Sequence, residues 1–228
     1  DVERSRGLGD VYKRQIALIL INSVKTRNAI FEGPMALPTA ETLTFAGFQK
    51  VLAGTHFLLY FGNSLAVTLA ALLLILLFGA MAAWALTEYR FFGNRALNFF
   101  IAIGIMIPIR LGTVSILQLV VALDLINTRT ALVLVYTAQG LPLAVMILSE
   151  FMRQIPGELK DAARCDGVGE LSIFFRVILP LLRPAIATVA VFTMIPAWND
   201  LWFPLILAPG EDTLSLIHIS EPTRPLYI

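Results

Sequence analysis

From Leu65 to Leu86 the chain runs for 22 residues without one charged side chain. A hydrocarbon core of about 30 Å is crossed by about 20 apolar residues of helix. In lipid every backbone N–H and C=O must be satisfied inside the structure, so a run of this kind has one outcome, a membrane-spanning helix. Three more stretches read the same way. Ala96 to Val121 contains Pro108, Arg110 and Gly112, Thr130 to Leu148 is interrupted by Gly140 and Pro142, and Pro184 to Leu207 carries Pro196 near its middle. Ile16 to Ile21 is too short to cross, and reads as the last turns of a truncated first span. Asn22 to Phe57 is polar and mixed, with Gly33, Pro34 and Pro38, so it is expected as an extramembrane loop with a short helix around Phe45 to Leu52.

Composition agrees. The chain is 57% hydrophobic and 14% charged, with mean hydropathy +0.79, against roughly 45–50% apolar and about 25% charged in soluble domains. A soluble fold of this length would leave large apolar patches in water. A net charge of +1 without a basic, aromatic-rich cluster gives no nucleic-acid footprint. The single Cys165 excludes an internal disulfide and offers no metal-ligand spacing.

The two ends share one origin. Residues 5–15, S-R-G-L-G-D-V-Y-K-R-Q, and residues 214–224, L-S-L-I-H-I-S-E-P-T-R, can be encoded by opposite strands of a single DNA segment. They resemble a translated sequencing-library adapter of the transposon type. Residues 1–15 and 214–228 are therefore expected to be non-native tails, with a native part of about Ile16 to Thr213 cut on both sides. His218, Glu221 and Arg224 are assigned no role.

Lys and Arg in the short loops set orientation. Arg90 and Arg95 flank one loop, and Arg153, Lys160, Arg164, Arg176 and Arg183 populate another; the loops between hold Lys25, Arg27 and Lys50, or only Arg129. Both richer loops fall on one side of an alternating topology, which places residues 150–183 in the cytoplasm. Within that segment Pro156 suits a first helical position, and Glu158 and Asp161 favour the positive end of the helix dipole. Ile155, Leu159, Ala162 and Ala163 follow at i, i+4, i+7 and i+8 as one apolar stripe. Gly167 and Gly169 are expected to stop the helix. Two alanines and a glycine on a short helix make a surface that another protein can approach closely.

Here the sequence resembles a known family. Asp161-Ala162-Ala163, three residues, Gly167, nine residues, then Val177-Ile178-Leu179-Pro180 is similar to the E-A-A-x-x-x-G-x(9)-I-x-L-P loop of binding-protein-dependent ABC importer permeases, with Asp161 in place of Glu and Val177 in place of Ile. A wider resemblance to the maltose-type sugar permeases rests on Asn22-Ser23-Val24-Lys25-Thr26, Ile30-Phe31, Leu37-Pro38-Thr39, Asn63-Ser64-Leu65 and Trp198-Asn199-Asp200. It implies an all-α bundle of about six spans when complete, the sixth missing here, in a bacterial or archaeal cytoplasmic membrane. It also implies a sugar-import function driven by ATP that a partner consumes, with no cofactor bound by this chain. The implied partners are a cytoplasmic ABC ATPase, a second related permease in a heterodimer, an extracytoplasmic solute-binding protein and membrane lipid. The ATPase-coupling loop would be carried by Pro156, Leu159, Asp161, Ala162, Ala163, Gly167, Leu179 and Pro180.

Polar residues inside the spans are candidates for the translocation pathway. An Arg at the centre of a span costs about 2.5–3.5 kcal/mol on translocon scales, so Arg110 should face protein or water. It either lines the pathway or pairs structurally where Pro108 and Gly112 break the helix. Pro196 frees a backbone carbonyl, and broken helices lining a cavity are where transporters place substrate, which brings in Trp198, Asn199 and Asp200 as pathway, packing or gate residues. Tyr136, Thr137 and Gln139 form a further polar patch ahead of Pro142.

No G-x-x-x-x-G-K-[S/T], H-E-x-x-H, paired cysteines or G-x-S-x-G is present, so neither a nucleotide site of that kind nor an enzyme is expected. The alternatives are the same importer class for glycerol phosphate or a polyamine, and more distantly a membrane-embedded enzyme or scaffold.

Overall fold

The computed structural model describes residues 2–54, 56–210 and 213. The expected tail from residue 214 onward lies outside them. The chain divides into two units, residues 1–58 and 59–228.

The first unit holds helices α1 (Val2–Ser23), α2 (Arg27–Glu32) and α3 (Ala46–Gly54). Residues 2–15 are continuous with Ile16–Ser23 in α1. The loop after α1 is stitched by an isolated antiparallel bridge between Lys25 and Leu43, with Thr26 N–H donating to Thr42 O and Thr44 N–H to Val24 O, each at 2.8 Å. Lys25 is buried; its ammonium donates to Gly33 O at 3.0 Å, which satisfies a charge that burial alone would make costly.

The second unit is a helical bundle built on α4 (Phe57–Glu88), α5 (Asn94–Met106), α6 (Thr113–Ala122), α7 (Arg129–Arg153), α8 (Gly157–Cys165), α9 (Glu170–Ile173), α10 (Leu179–Leu181), α11 (Arg183–Trp198) and α12 (Trp202–Leu207). Helices α4 and α7 are each long and apolar enough to cross a membrane. The stretch expected as one span from Ala96 to Val121 is two helices bent by 90°. Pro108 cannot donate to the helix ladder, and a 3₁₀ turn at Ile109–Gly112 makes the corner. The stretch expected from Pro184 to Leu207 is also broken: α11 ends at Trp198 and the chain resumes helically at Trp202. A π turn at Phe174–Ile178 joins α9 to α10, and the segment Glu170–Leu181 bends by 75° from α11.

Small residues let α4, α7 and α11 approach closely, as packing between helices in lipid demands. A Cβ placed on Gly79 of α4 would lie 2.9 Å from Ala144 Cβ of α7, and one on Gly140 would lie 2.5 Å from Ile75 Cδ1 and 3.3 Å from Thr193 Cγ2. Two apolar clusters fill the bundle. One contains Ala83, Trp84, Leu148, Met152, Phe174 and Ile178. The other contains Val67, Ala71, Tyr136, Phe203 and Leu207. Two buried hydroxyls bond back into their own helices: Thr137 Oγ1 donates to Val133 O at 2.6 Å and Thr193 Oγ1 to Val189 O at 2.8 Å.

Candidate functional site

Two polar sites stand at opposite ends of α4. The first gathers the helix breaks. Asp200 lies in the three-residue gap between α11 and α12 with its side chain only 11% exposed. Its carboxylate accepts from Trp202 N–H at 3.3 Å and Phe203 N–H at 3.2 Å, the arrangement by which an acidic side chain satisfies the orphan donors opening a helix. The buried Tyr136 hydroxyl of α7 donates to the same carboxylate at 3.0 Å. Arg110, on the 3₁₀ corner of the other broken stretch, reaches Asp200 at 3.7 Å while remaining 69% exposed. It also sits 6.0 Å from the centre of the Trp202 ring. Trp202 Nε1 donates to Thr113 Oγ1 at 3.1 Å, and Thr113 Oγ1 donates to Arg110 O at 2.6 Å. The two breaks are thus cross-linked to each other.

Beside Asp200 is a cleft lined by Asn63, Ser64 and Thr68 of α4, Tyr136 of α7, and Trp198. Trp198 meets Phe61 edge to face at 5.8 Å between ring centres, and Asn199 Nδ2 caps Ile195 O at 3.0 Å. Of the sequence candidates, Arg110 and Asp200 come together and Trp198 lines the cleft. Asn199 turns to its own helix, and Gln139 is exposed and does not line the cleft. Thr113 and Trp202 escaped sequence reading; Asn63 and Ser64 entered it only as part of a family-like string. The usable signal for Trp202 was its i+2 position after an acidic residue that follows a proline-bearing apolar stretch.

The second site is the short helix α8 and what holds it. Pro156 is its N-cap in an extended conformation, so Gly157 is the first helical residue; the expected first-turn proline stands one place earlier. At the other end Gly167 has φ +76°, Val168 N–H donates to Ala163 O and Gly167 N–H to Arg164 O, each at 3.0 Å. These two bonds are the Schellman closure of a helix. Gly169 has φ −68° and opens α9 instead, so Gly167 alone stops α8.

The expected apolar stripe divides. Ile155 and Ala163 pack against the core near Trp84 and Phe174, as does Leu179, whereas Leu159, Asp161, Ala162 and Pro180 are exposed. The inner face also carries charge. Glu88, the last residue of α4, accepts from Lys160 Nζ at 2.5 Å and from Arg164 Nη2 at 2.6 Å. Arg164 Nε reaches Glu170 Oε1 at 2.8 Å, and Tyr89 donates to Glu170 Oε2 at 2.8 Å. Hydrogen bonds to Glu170 and then Glu88 push the Arg164 pKa above its ordinary value, so this guanidinium is charged at any working pH. The loop after α4 and the loop after α8 therefore meet at one end of the bundle, the end the basic residues assign to the cytoplasm. Among the described residues no group of His, Cys, Asp or Glu could hold a metal ion.

The chain is similar to known proteins over most of its length. Residues 75–221 match the family described as binding-protein-dependent transport system inner membrane component. The chain is 33% identical over 194 residues to the diacetylchitobiose uptake system permease protein NgcG of Streptomyces coelicolor, covering 85% of this chain and 64% of that protein. It is 33% identical over 193 residues to the trehalose transport system permease protein SugB of Mycobacterium tuberculosis, covering 85% and 69%. To the melibiose/raffinose/stachyose import permease protein MelC of Bacillus subtilis it is 35% identical over 171 residues, covering 74% and 60%. The chain thus spans about two thirds of the length of these relatives. A crystal structure of a bacterial ABC transporter involved in the import of the acidic polysaccharide alginate aligns with a TM-score of 0.80 at 23% identity, over 100% of this chain and 81% of that one. That likeness is one of fold.

Proposed function

The chain belongs to the family of binding-protein-dependent transport system inner membrane components, and from that premise we propose that it is the permease subunit of an ATP-driven importer for a neutral di- or oligosaccharide. Helix α8 is the observation that carries the reading. It is closed at its C-terminal end by Gly167, buries none of its own residues, and turns Leu159, Asp161 and Ala162 outward while ion pairs tie its other face to α4. A helix held on one side and bare on the other is built to receive a partner, and the partner proposed is a cytoplasmic ABC ATPase that binds and hydrolyses the ATP. A second, related permease and an extracytoplasmic solute-binding protein complete the assembly. The chain itself carries out no covalent chemistry.

The solute class rests on the cleft and on the relatives, whose names specify diacetylchitobiose, trehalose and melibiose. Amide, hydroxyl and aromatic groups at Asn63, Ser64, Thr68, Tyr136 and Trp198 suit sugar hydroxyls and a ring face. Movement follows from the breaks: closure of the ATPases displaces α8, and the spans rock between outward- and inward-facing states.

The test has two stages. A tag on this chain should bring down an ATPase from the host membrane. Membrane vesicles carrying the complex are then offered labelled trehalose, melibiose and diacetylchitobiose beside glycerol 3-phosphate and spermidine. ATP-dependent uptake of a sugar supports the proposal; uptake of glycerol 3-phosphate or spermidine alone reassigns the solute. Absence of a co-purified ATPase returns the chain to the enzyme-or-scaffold alternatives.

A further inference from the structure

Helix α4 carries residues of both polar sites. Asn63, Ser64 and Thr68 line the cleft, and Glu88 closes the helix at the other end. Its 32 residues rise about 1.5 Å each, so roughly 48 Å separates its ends. The Glu88 carboxylate is 10% exposed and takes both cations of α8's inner face, Lys160 and Arg164. These stand at i and i+4, one above the other on one helix face. Lys160 also lies 5.7 Å from the centre of the Trp84 ring, one turn before Glu88. Glu170 joins through Arg164 and Tyr89. Asp161 of α8 adds a contact to Arg164 Nη1 at 3.1 Å from the exposed side, so three carboxylates meet two cations in a network drawn from α4, α8 and α9.

Little else holds α8. No residue of it is fully buried, and its apolar attachment is confined to Ala163 and the flanking Ile155 and Val168. Gly157 is its first residue and Gly167 and Gly169 follow its end, and a Cβ at any of the three would meet open space. Without the network, α8 would be free to pivot on glycine-bearing turns.

We infer that Glu88 is a positioning residue that makes α8 and α4 one mechanical body, so that a displacement imposed on α8 reaches the cleft through α4. The inference rests on the proposed docking of an ATPase on α8. Half-buried charge-assisted bonds make a firm joint of this kind, because they are stronger than neutral hydrogen bonds and salt screens them less than surface pairs.

The test uses the chain's single cysteine. In the complex purified through a tag on this chain, with cysteines of the other subunits replaced, one nitroxide is placed on Cys165, which is exposed at the end of α8. A second is placed on Gly62→Cys, where α4 leaves open space. The distance between them is measured by pulsed electron spin resonance without nucleotide and after trapping with ATP and vanadate. The expected result is one narrow distance, the same within about 2 Å in both states, with broadening of at least twofold in Glu88→Gln and recovery of a narrow distribution in Glu88→Asp. The amount of co-purified ATPase should be unchanged in Glu88→Gln, because the outward face of α8 is untouched. A wild-type distance that changes by more than about 5 Å between states overturns the inference without any variant. An unbroadened Glu88→Gln also overturns it and leaves the importer reading standing. If no ATPase accompanies the wild-type chain, the importer reading falls and takes this inference with it.

Discussion

Tyr136 donates its hydroxyl to the carboxylate of Asp200 at 3.0 Å, joining residues 64 apart in the chain. The bond links the N-terminal third of one continuous helix, α7, to the gap between α11 and α12. Asp200 is therefore first a structural group, the acceptor for Tyr136 and for two backbone donors of α12. Removing the acceptor leaves those donors unpaired in a low-dielectric site, at a cost of about 1–3 kcal/mol for each donor left buried. Asp200→Ala should lower the thermal midpoint of the detergent-purified chain more than Asp200→Asn, whose amide oxygen still caps α12. Tyr136→Phe, which removes one donor and keeps the ring against Phe203, should cost about 1 kcal/mol. Equal midpoints for Ala and Asn would show that the cap carries no weight.

Arg110 differs from Asp200 in what it risks. Its guanidinium is 69% exposed and its contact with Asp200 is 3.7 Å, so its stabilising contribution is small, about 0–1 kcal/mol for an exposed pair. Arg110→Leu should leave the thermal midpoint nearly unchanged. ATP-dependent uptake in vesicles should fall at least tenfold if the side chain lines the pathway. Normal uptake with normal assembly would remove Arg110 from the pathway and leave it as a partner of Trp202.

Gly79 and Gly140 both face tight neighbours, yet they should not respond alike. A methyl on Gly79 meets Ala144 Cβ at 2.9 Å, an atom that moves only with the backbone of α7. A methyl on Gly140 meets first the Cδ1 end of Ile75, at 2.5 Å, and that terminal methyl can change rotamer. Overpacking of a filled interior costs about 1–3 kcal/mol. Gly79→Ala should sit at the upper end of that range and Gly140→Ala at the lower, read from thermal unfolding in the same detergent. The reverse order would mean that Ile75 is locked and α7 is the softer element.

The uncharged run at Leu65–Leu86 made the α4 span legible, and its helix simply extends further at both ends. The period of apolar residues was less informative at Ala96–Val121 and Pro184–Leu207. Composition there reports burial in lipid, while Pro108 turns the chain and the Asn199–Leu201 gap interrupts it by means that hydropathy does not register. Asp200 and Arg110 could be singled out because charges within apolar stretches demand a reason. Their mutual contact could not, because it depends on how two bends face one another. Glu88 was invisible for a different reason. At the end of a span, beside Arg90, a carboxylate looks like an ordinary boundary residue, and only the fold brings Lys160 and Arg164 back across more than 70 residues to meet it.

The spacing of Gly167 within the loop motif has a plain cause, and it gives a contrast with Gly157 on the same helix. Gly167 takes φ +76°, a conformation that costs an L residue roughly 1–2 kcal/mol, and it presents the N–H that closes α8. Gly157 occupies the first helical position with open space around it, where alanine fits the backbone and reduces the freedom of the unfolded chain. Gly167→Ala should therefore fray the last turn of α8, raising amide exchange at Arg164 to Val168 by about tenfold, and should reduce the ATPase retained on the tagged chain. Gly157→Ala should leave both unchanged or slightly improved. The outward residues then isolate docking from folding. Ala162→Arg places bulk and charge on the exposed face without touching the cap, so exchange in α8 should stay at the wild-type rate while ATPase retention and uptake are lost. If Ala162→Arg keeps a full complement of ATPase, the docking face lies elsewhere on the cytoplasmic end, and the inner network around Glu88 would have to be explained by stability alone.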